Sequence, residues 1–295
     1  MQRLAPLVPL VLALGCSGPA FDEAAVPASG GGPVTTSSDA GPGGGGGSGG
    51  AAGGGGGTTA SGGSAGSGGA STPDAAQPVL GSCEELLAAA PATPSGAYTV
   101  SVGGSEMTAQ CDMTTDGGGW TLVLNYVHKG GTNPELATLE AQLPLIGSST
   151  LGDDESGDPN HWGHVDPKLL SQLSFSETLW QASTSAHSRV IEFVNASPHL
   201  IGYMKSGAGG LCSYTGELFS ATMSTPLAEH TAHLPLNTTS MQLASCDKGT
   251  RAMTEFPFFS QGEAHWGIRG QGTRWEADDS LAGFAHDTIH RVWVR

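Results

Sequence analysis

Cys111-Asp112-Met113-Thr114-Thr115-Asp116-Gly117-Gly118-Gly119-Trp120-Thr121 is the most informative run in the chain. A cysteine is followed by a polar turn, three glycines and an aromatic. Glycine takes positive φ at no steric cost and lets another backbone come close. Trp120 then opens Thr121-Leu122-Val123-Leu124, β-branched and apolar as a buried strand requires. Upstream, Ser82 to Ala90 reads as a short helix. Ser82 caps it, Glu85 sits three residues on in a capping-box pattern, and Pro91 and Pro94 end it. Ser95-Gly96 turns the chain, Ala97 to Val102 alternates as a strand, Gly103-Gly104 reverses it, and Glu106 to Cys111 returns as its partner.

That order, a helix carrying Cys83, then Ser95-Gly96 with Tyr98, a hairpin, Cys111-Asp112-Met113 and Gly117-Gly118-Gly119-Trp120-Thr121, resembles the fibrinogen C-terminal-like domains, a group that includes the intelectin and ficolin lectins. The resemblance covers residues 81–295 and is closest at 83–124. It implies an α+β fold with short strands, few helices and many irregular loops. The later chain reads the same way. Leu151 to Asp158 is an acidic loop. Asp166 to Leu173 is a helix, capped by Asp166, with Pro167 at its first position and Leu169, Leu170 and Leu173 on one face. Ser188 to Val194 is a strand. Ile289 to Arg295 is a partly buried strand, which by the resemblance rejoins the central sheet.

The first residues have the form of a processing signal. Arg3 precedes an apolar run from Leu4 to Leu14, too short to span a bilayer and suited to a secretory core region. Ala13-Leu14-Gly15-Cys16 looks like a bacterial lipobox, which implies a signal peptide over 1–15 and a lipid on Cys16. The alternative is an ordinary secreted protein cut nearby. Ser17 after the cysteine resembles the sorting pattern for the outer membrane of a Gram-negative cell, with the domain periplasmic or surface-exposed. Residues 16–80 hold the anchor cysteine and a Gly/Ser/Ala-rich tether that cannot bury enough apolar surface to order itself. A flexible tether of roughly 60 residues spans about 40–50 Å. Residues 81–295 are then the fibrinogen-like domain.

A net charge of −16 argues against nucleic acid as a partner and leaves the membrane to the lipid alone. If Cys16 of the five cysteines carries lipid, four remain, and four allow three connectivities. The resemblance implies Cys83–Cys111 and, with it, Cys212–Cys246. A site built from all four for a metal lacks any C-x-x-C pair.

Two places offer binding chemistry. Asp153, Asp154, Glu155 and Asp158 supply closely spaced hard oxygens that suit Ca²⁺, although the offsets are not those of an EF-hand; the plain alternative is a solvated loop. His265 and Glu276 flank the Gly-rich run Gly267-Ile268-Arg269-Gly270-Gln271-Gly272. In intelectins a His and a Glu so placed bind the diol of a sugar beside Ca²⁺, and the resemblance implies that role here, with Trp266 and Trp275 offering ring faces to a pyranose. Arg269 and Arg274 depart from the intelectin pattern and point either to pairing with Asp278 and Asp279 or to an anionic sugar. The pairs His161/His164, His230/His233 and His286/His290 lack a zinc-protease pattern, and neither a nucleophile elbow nor a phosphate loop is present. Three function classes follow. The first is a Ca²⁺-assisted lectin-like module binding a glycan or surface polysaccharide. The second is a structural or adhesion module binding proteins without sugar or calcium. The third, least supported, is a surface-polysaccharide hydrolase, so the expectation is a protein that is not an enzyme. Related lectins are often oligomers, but no stalk or coiled coil is present in the sequence.

Overall fold

The polar turn and glycines of the deciding stretch adopt the conformations their chemistry favours. In a computed structural model, residues 79–208, 220, 222–229, 231, 242–243, 259–261, 264–270, 274–278 and 285–295 are described. The signal stretch, Cys16, the tether and the Cys212–Cys246 pair lie outside these residues.

Asp112 accepts from the Thr114 and Thr115 amides (2.8 and 3.1 Å) and from the Thr114 hydroxyl (2.9 Å), closing a side-chain turn. Burial acts to raise its pKa, but these hydrogen bonds win and hold the carboxylate below its usual value. Gly117, Gly118 and Gly119 follow with φ of 87°, 76° and 81°. A Cβ at Gly118 would stand 2.2 Å from the Met113 carbonyl oxygen, so only glycine fits. Trp120 folds back to donate from Nε1 to the Thr115 carbonyl at 2.7 Å.

Before the turn lie α1 (Cys83–Ala89), β1 (Gly96–Val102) and β2 (Ser105–Asp112). Ser82 Oγ accepts from the Glu85 amide at 3.1 Å, while the Glu85 carboxylate takes the Gly81 amide at 2.7 Å, one residue earlier than an ideal capping box. Cys83 and Cys111 are joined by a disulfide with a Cα–Cα distance of 5.6 Å, as the resemblance implies. After the turn comes β3 (Trp120–His128), buried along its whole length. The short β4 (Thr138–Leu139) and β5 (Gly163–Val165) flank it. The helix expected to Leu173 is shorter: α2 covers Pro167–Leu170, capped by Asp166 Oδ1 on the Lys168 amide at 2.7 Å. Gln172 and Leu173 then bond to Leu169 and Leu170, three residues back, tightening the end into turns. β6 (Thr178–Thr184) and β7 (Val190–Asn195) follow. The sequence reading missed α3 (Pro198–Ser206), although it carries its own signals: Ser197 as cap, Pro198 at the first position and Gly207 at φ 68° as the stop.

Later come β8 (Ser224–Pro226), β9 (Gln242–Leu243), β10 (Phe259–Gln261), β11 (Ala264–Gly270), β12 (Arg274–Ala277) and β13 (Thr288–Val294). The large sheet runs β1-β2-β3-β13-β6-β7-β8, all antiparallel along this path, and a smaller sheet runs β12-β11-β10-β9. Three helices among the described residues, short strands and long irregular loops make the fold α+β. Among the described residues no helix is long and apolar enough to cross a membrane. β13 is a central strand, paired with β3 on one edge and β6 on the other. One face of the sheet builds the main core with Val123, Trp180, Phe193 and Val292; the other holds a smaller cluster of Trp120, Leu122, Leu179, Val194 and Trp293. Arg295 lies over the Trp120 ring at 4.0 Å and donates to the carbonyls of Asp116 (2.6 Å) and Gly118 (3.0 Å), locking the glycine turn to the strand's end.

Replacing both Cys83 and Cys111 by Ser is expected to lower unfolding free energy by roughly 3 kcal/mol, because the 28-residue separation closes a loop of the unfolded chain. A urea titration with an unshifted midpoint would contradict this.

Candidate functional site

The hairpin of β11 and β12 carries the residues singled out for sugar binding. Its register pairs Trp266 with Ala277, Gly267 with Glu276 and Ile268 with Trp275. A strand sends successive side chains to opposite faces. Trp266, Ile268, Trp275 and Ala277 accordingly share the core face, each 0% exposed. Glu276 belongs to the other face, across from Gly267, so no side chain stands directly opposite it. Position 265 lies two residues before Gly267 and so belongs to that same face of the register; its backbone pairs with Ser260.

The two tryptophans correct the sequence reading. A pyranose needs an exposed ring face, and neither ring has one. Trp275 stacks on His128 with centroids 4.1 Å apart and planes 4° from parallel, and meets the edge of Tyr126 at 6.0 Å. Trp266 meets Trp180 edge-on at 5.4 Å and His290 at 4.7 Å. They are core aromatics, placed there by the strand's two-residue alternation. Glu276 differs: it is a carboxylate with 0% exposure, and a buried charge is tolerated only with compensating partners. Its own carbonyl accepts from His290 Nε2 at 2.8 Å. His290 Nδ1 and Trp266 Nε1 are buried and make no hydrogen bond among the described residues.

The arginine expectation is also revised. Arg269, at φ 49° on the bulge between Ile268 and Gly270, pairs with Glu135 at 2.8 Å, not with Asp278. Asp278 is buried, with Arg189 Nε at 2.7 Å and His187 Nε2 at 3.0 Å. The partners of Arg274 and the position of Asp279 lie outside the described residues.

The carboxylates of the acidic loop are engaged in local hydrogen bonds. A Ca²⁺ site needs six to eight oxygens converging at about 2.3–2.6 Å. Here each carboxylate is turned to a local partner. Asp153 accepts from the Ser148 hydroxyl, Asp154 from the Ser156 amide at 3.0 Å, and Asp158 from the Asn160 amide at 2.8 Å with His161 Nδ1 at 3.0 Å. Glu155 is buried, with one oxygen on the Ser148 amide and the other on Asn125 Nδ2 at 2.8 Å. Asp153, Asp154, Glu155 and Asp158 are therefore turn-forming groups, and among the described residues no three His, Cys, Asp or Glu side chains are grouped to hold a metal ion. His164 bonds to the Tyr126 hydroxyl at 2.7 Å, apart from His161. His230 and His233 lie outside the described residues.

The sequence reading missed what Glu155 serves. Asn125 Oδ1 accepts from Arg291 Nε at 2.9 Å, and Arg291 Nη2 donates to the Ser148 carbonyl at 2.6 Å. Burial lowers the Arg291 pKa to about 10, against the opposing pull of Glu155. A cation in mid-strand therefore holds the acidic loop to the sheet. Sequence shows only an arginine between His290 and Val292 at that point.

No family model matches the chain, and no curated protein matches it. Among solved structures the chain is similar to the fibrinogen-like globe domain of human ANGPTL6, at 15% identity and a TM-score of 0.37 over 74% of this chain and 96% of that one. It is also similar to the fibrinogen-like globe domain of human ANGPTL2, at 16% identity and a TM-score of 0.33 over 73% of this chain and 98% of that one.

Beneath the hairpin, His290 is fully buried and its pKa is lowered to about 4, first by burial and then by His128, against the hydrogen bond to Glu276. The unfolded chain protonates this residue near pH 6.5. Between about 6.5 and 4 the unfolded state therefore binds the extra proton, and stability falls as pH falls, levelling off below about 4. Thermal melts across this range are expected to show the decline, and His290→Gln to flatten part of it. An unchanged slope in the variant would refute the assignment.

Proposed function

We propose that the chain is a surface binding module that takes a glycan at the β11–β12 hairpin, with Glu276 and His265 accepting hydroxyl protons of a sugar diol and calcium as a helper ion. The observation that supports this is Glu276: a carboxylate on the hairpin face away from the tryptophans, opposite a glycine and on the same face as position 265. A diol offers two neutral oxygens and two donors, which suits a carboxylate and an imidazole together. The acidic loop is not offered as the seat of the ion, because its carboxylates are spent on local hydrogen bonds. Recognition here does without aromatic platforms, since Trp266 and Trp275 belong to the core.

The second reading is an adhesion module that binds proteins without sugar or calcium. The burial of both tryptophans favours it, because it removes the apolar faces a sugar would use. We further propose that Cys16 carries lipid and tethers the domain to the outer membrane, with the Gly-rich segment as spacer.

Calorimetric calcium titration of the full chain, followed by a glycan array with and without EDTA, separates the two readings. The lectin reading expects saturable calcium heat and EDTA-sensitive glycan signals that fall at least tenfold in Glu276→Gln and His265→Ala. No calcium heat and a blank array would replace it with the protein-binding reading.

For the anchor, Cys16→Ser is expected to abolish fatty-acid labelling and release the protein from the membrane fraction. Labelling that persists in the variant would reject lipidation at this residue.

A further inference from the structure

The large sheet carries a polar row on the face away from the main core. Asn125 of β3, Arg291 of β13, Gln181 of β6 and Glu192 of β7 stand directly opposite one another in register, so the row crosses four strands. Leu122, Trp293, Leu179 and Val194 line up beside it as an apolar, buried row. On its other side run Val127, Ile289, Ser183 and Val190. The loop held by Arg291 roofs the Asn125 end, through the Ser148 carbonyl and the Ser149 hydroxyl (3.3 Å). Among the described residues nothing roofs the Gln181–Glu192 end. A cleft of about 230 Å³ opens there, walled by Ser149 and Arg291 and floored by Gln181, Ser183 and Glu192.

We infer that this cleft is a second ligand site, which takes a neutral saccharide unit without calcium. The hydrogen-bonding arrangement is preset. Trp293 Nε1 donates to Gln181 Oε1 at 2.7 Å, which orients the amide so that Nε2 donates to Glu192 Oε1 at 2.8 Å. The second N–H of Gln181 and the outer oxygen of Glu192 have no further partner among the described residues. The hydroxyls of Ser149 and Ser183 add groups that both donate and accept. One guanidinium and one carboxylate leave the lining without net charge. An anion would face Glu192 and a cation would face Arg291, whereas a ring of hydroxyls satisfies both. Val190, 39% exposed, and Ile289 give the C–H side of a ring an apolar flank. The volume falls below the ~300–1,000 Å³ of sites for drug-sized ligands, so it suits a single ring. The lining offers one carboxylate, too few hard oxygens for calcium. This site stands independently of the hairpin reading.

Saturation-transfer NMR on the full chain in EDTA tests it, with methyl glucoside, methyl galactoside, methyl mannoside and N-acetylglucosamine as probes. At least one probe is expected to receive saturation and to shift amides at 181–183 and 190–192. Glu192→Gln and Ser183→Phe are expected to weaken that binding at least tenfold, and Glu276→Gln to leave it unchanged. The amide shifts in the unaltered protein give the answer even if a variant fails to fold. The inference is overturned by the absence of an EDTA-resistant signal from any probe, by shifts elsewhere, or by loss of the signal in Glu276→Gln.

Discussion

Hydrogen bonding of β13 on both edges is the constraint on which the described domain depends. Thr288 to Val294 pairs residue by residue with β3 on one side and β6 on the other. Its even-numbered residues, His290, Val292 and Val294, face the main core. Its odd-numbered ones, Ile289, Arg291 and Trp293, face the opposite side. At one end Arg295 covers Trp120 and holds the carbonyls of the glycine turn. In the middle Arg291 fastens the acidic loop. Near the other end His290 supports the β11–β12 hairpin through the Glu276 carbonyl. Both proposed ligand sites are thus referred to one strand, from its two faces.

The placement of charge follows from the same frame. Partly burying Arg291 is unfavourable unless its donors are met, and Asn125, Ser148 and Ser149 meet three of them. Asp278, also buried, is met by Arg189 and His187. These compensations consume side chains that in sequence look like free ligands. The net charge of −16 thus includes the carboxylates of residues 153–158 that local turns use.

What was legible in the sequence was local. The caps of α1 and α2, the Gly103-Gly104 turn and the strand opened by Trp120 all follow from residue chemistry within a few positions. α3 carries equally local signals in Ser197, Pro198 and Gly207. Trp266 and Trp275 were misread although the clue was present: Trp266 and Ile268 alternate with His265 and Gly267, the pattern of a strand with one buried face. Glu155 was illegible, because its partner Asn125 lies 30 residues away in sequence and is fixed by Arg291, another 166 away from Asn125.

The seating of β13 also governs the order in which the protein can be assembled. Its partner on β3 precedes it by 166 residues. As the chain is made from its N-terminus, β3 and β6 emerge with their apolar faces and unpaired edges long before the strand that belongs between them. Such edges invite pairing with other chains. Vectorial, piece-by-piece folding is closed to this sheet, and closing so large a loop is intrinsically slow. Truncation upstream of residue 288 would leave a sticky, unclosed half-sheet, not a smaller domain.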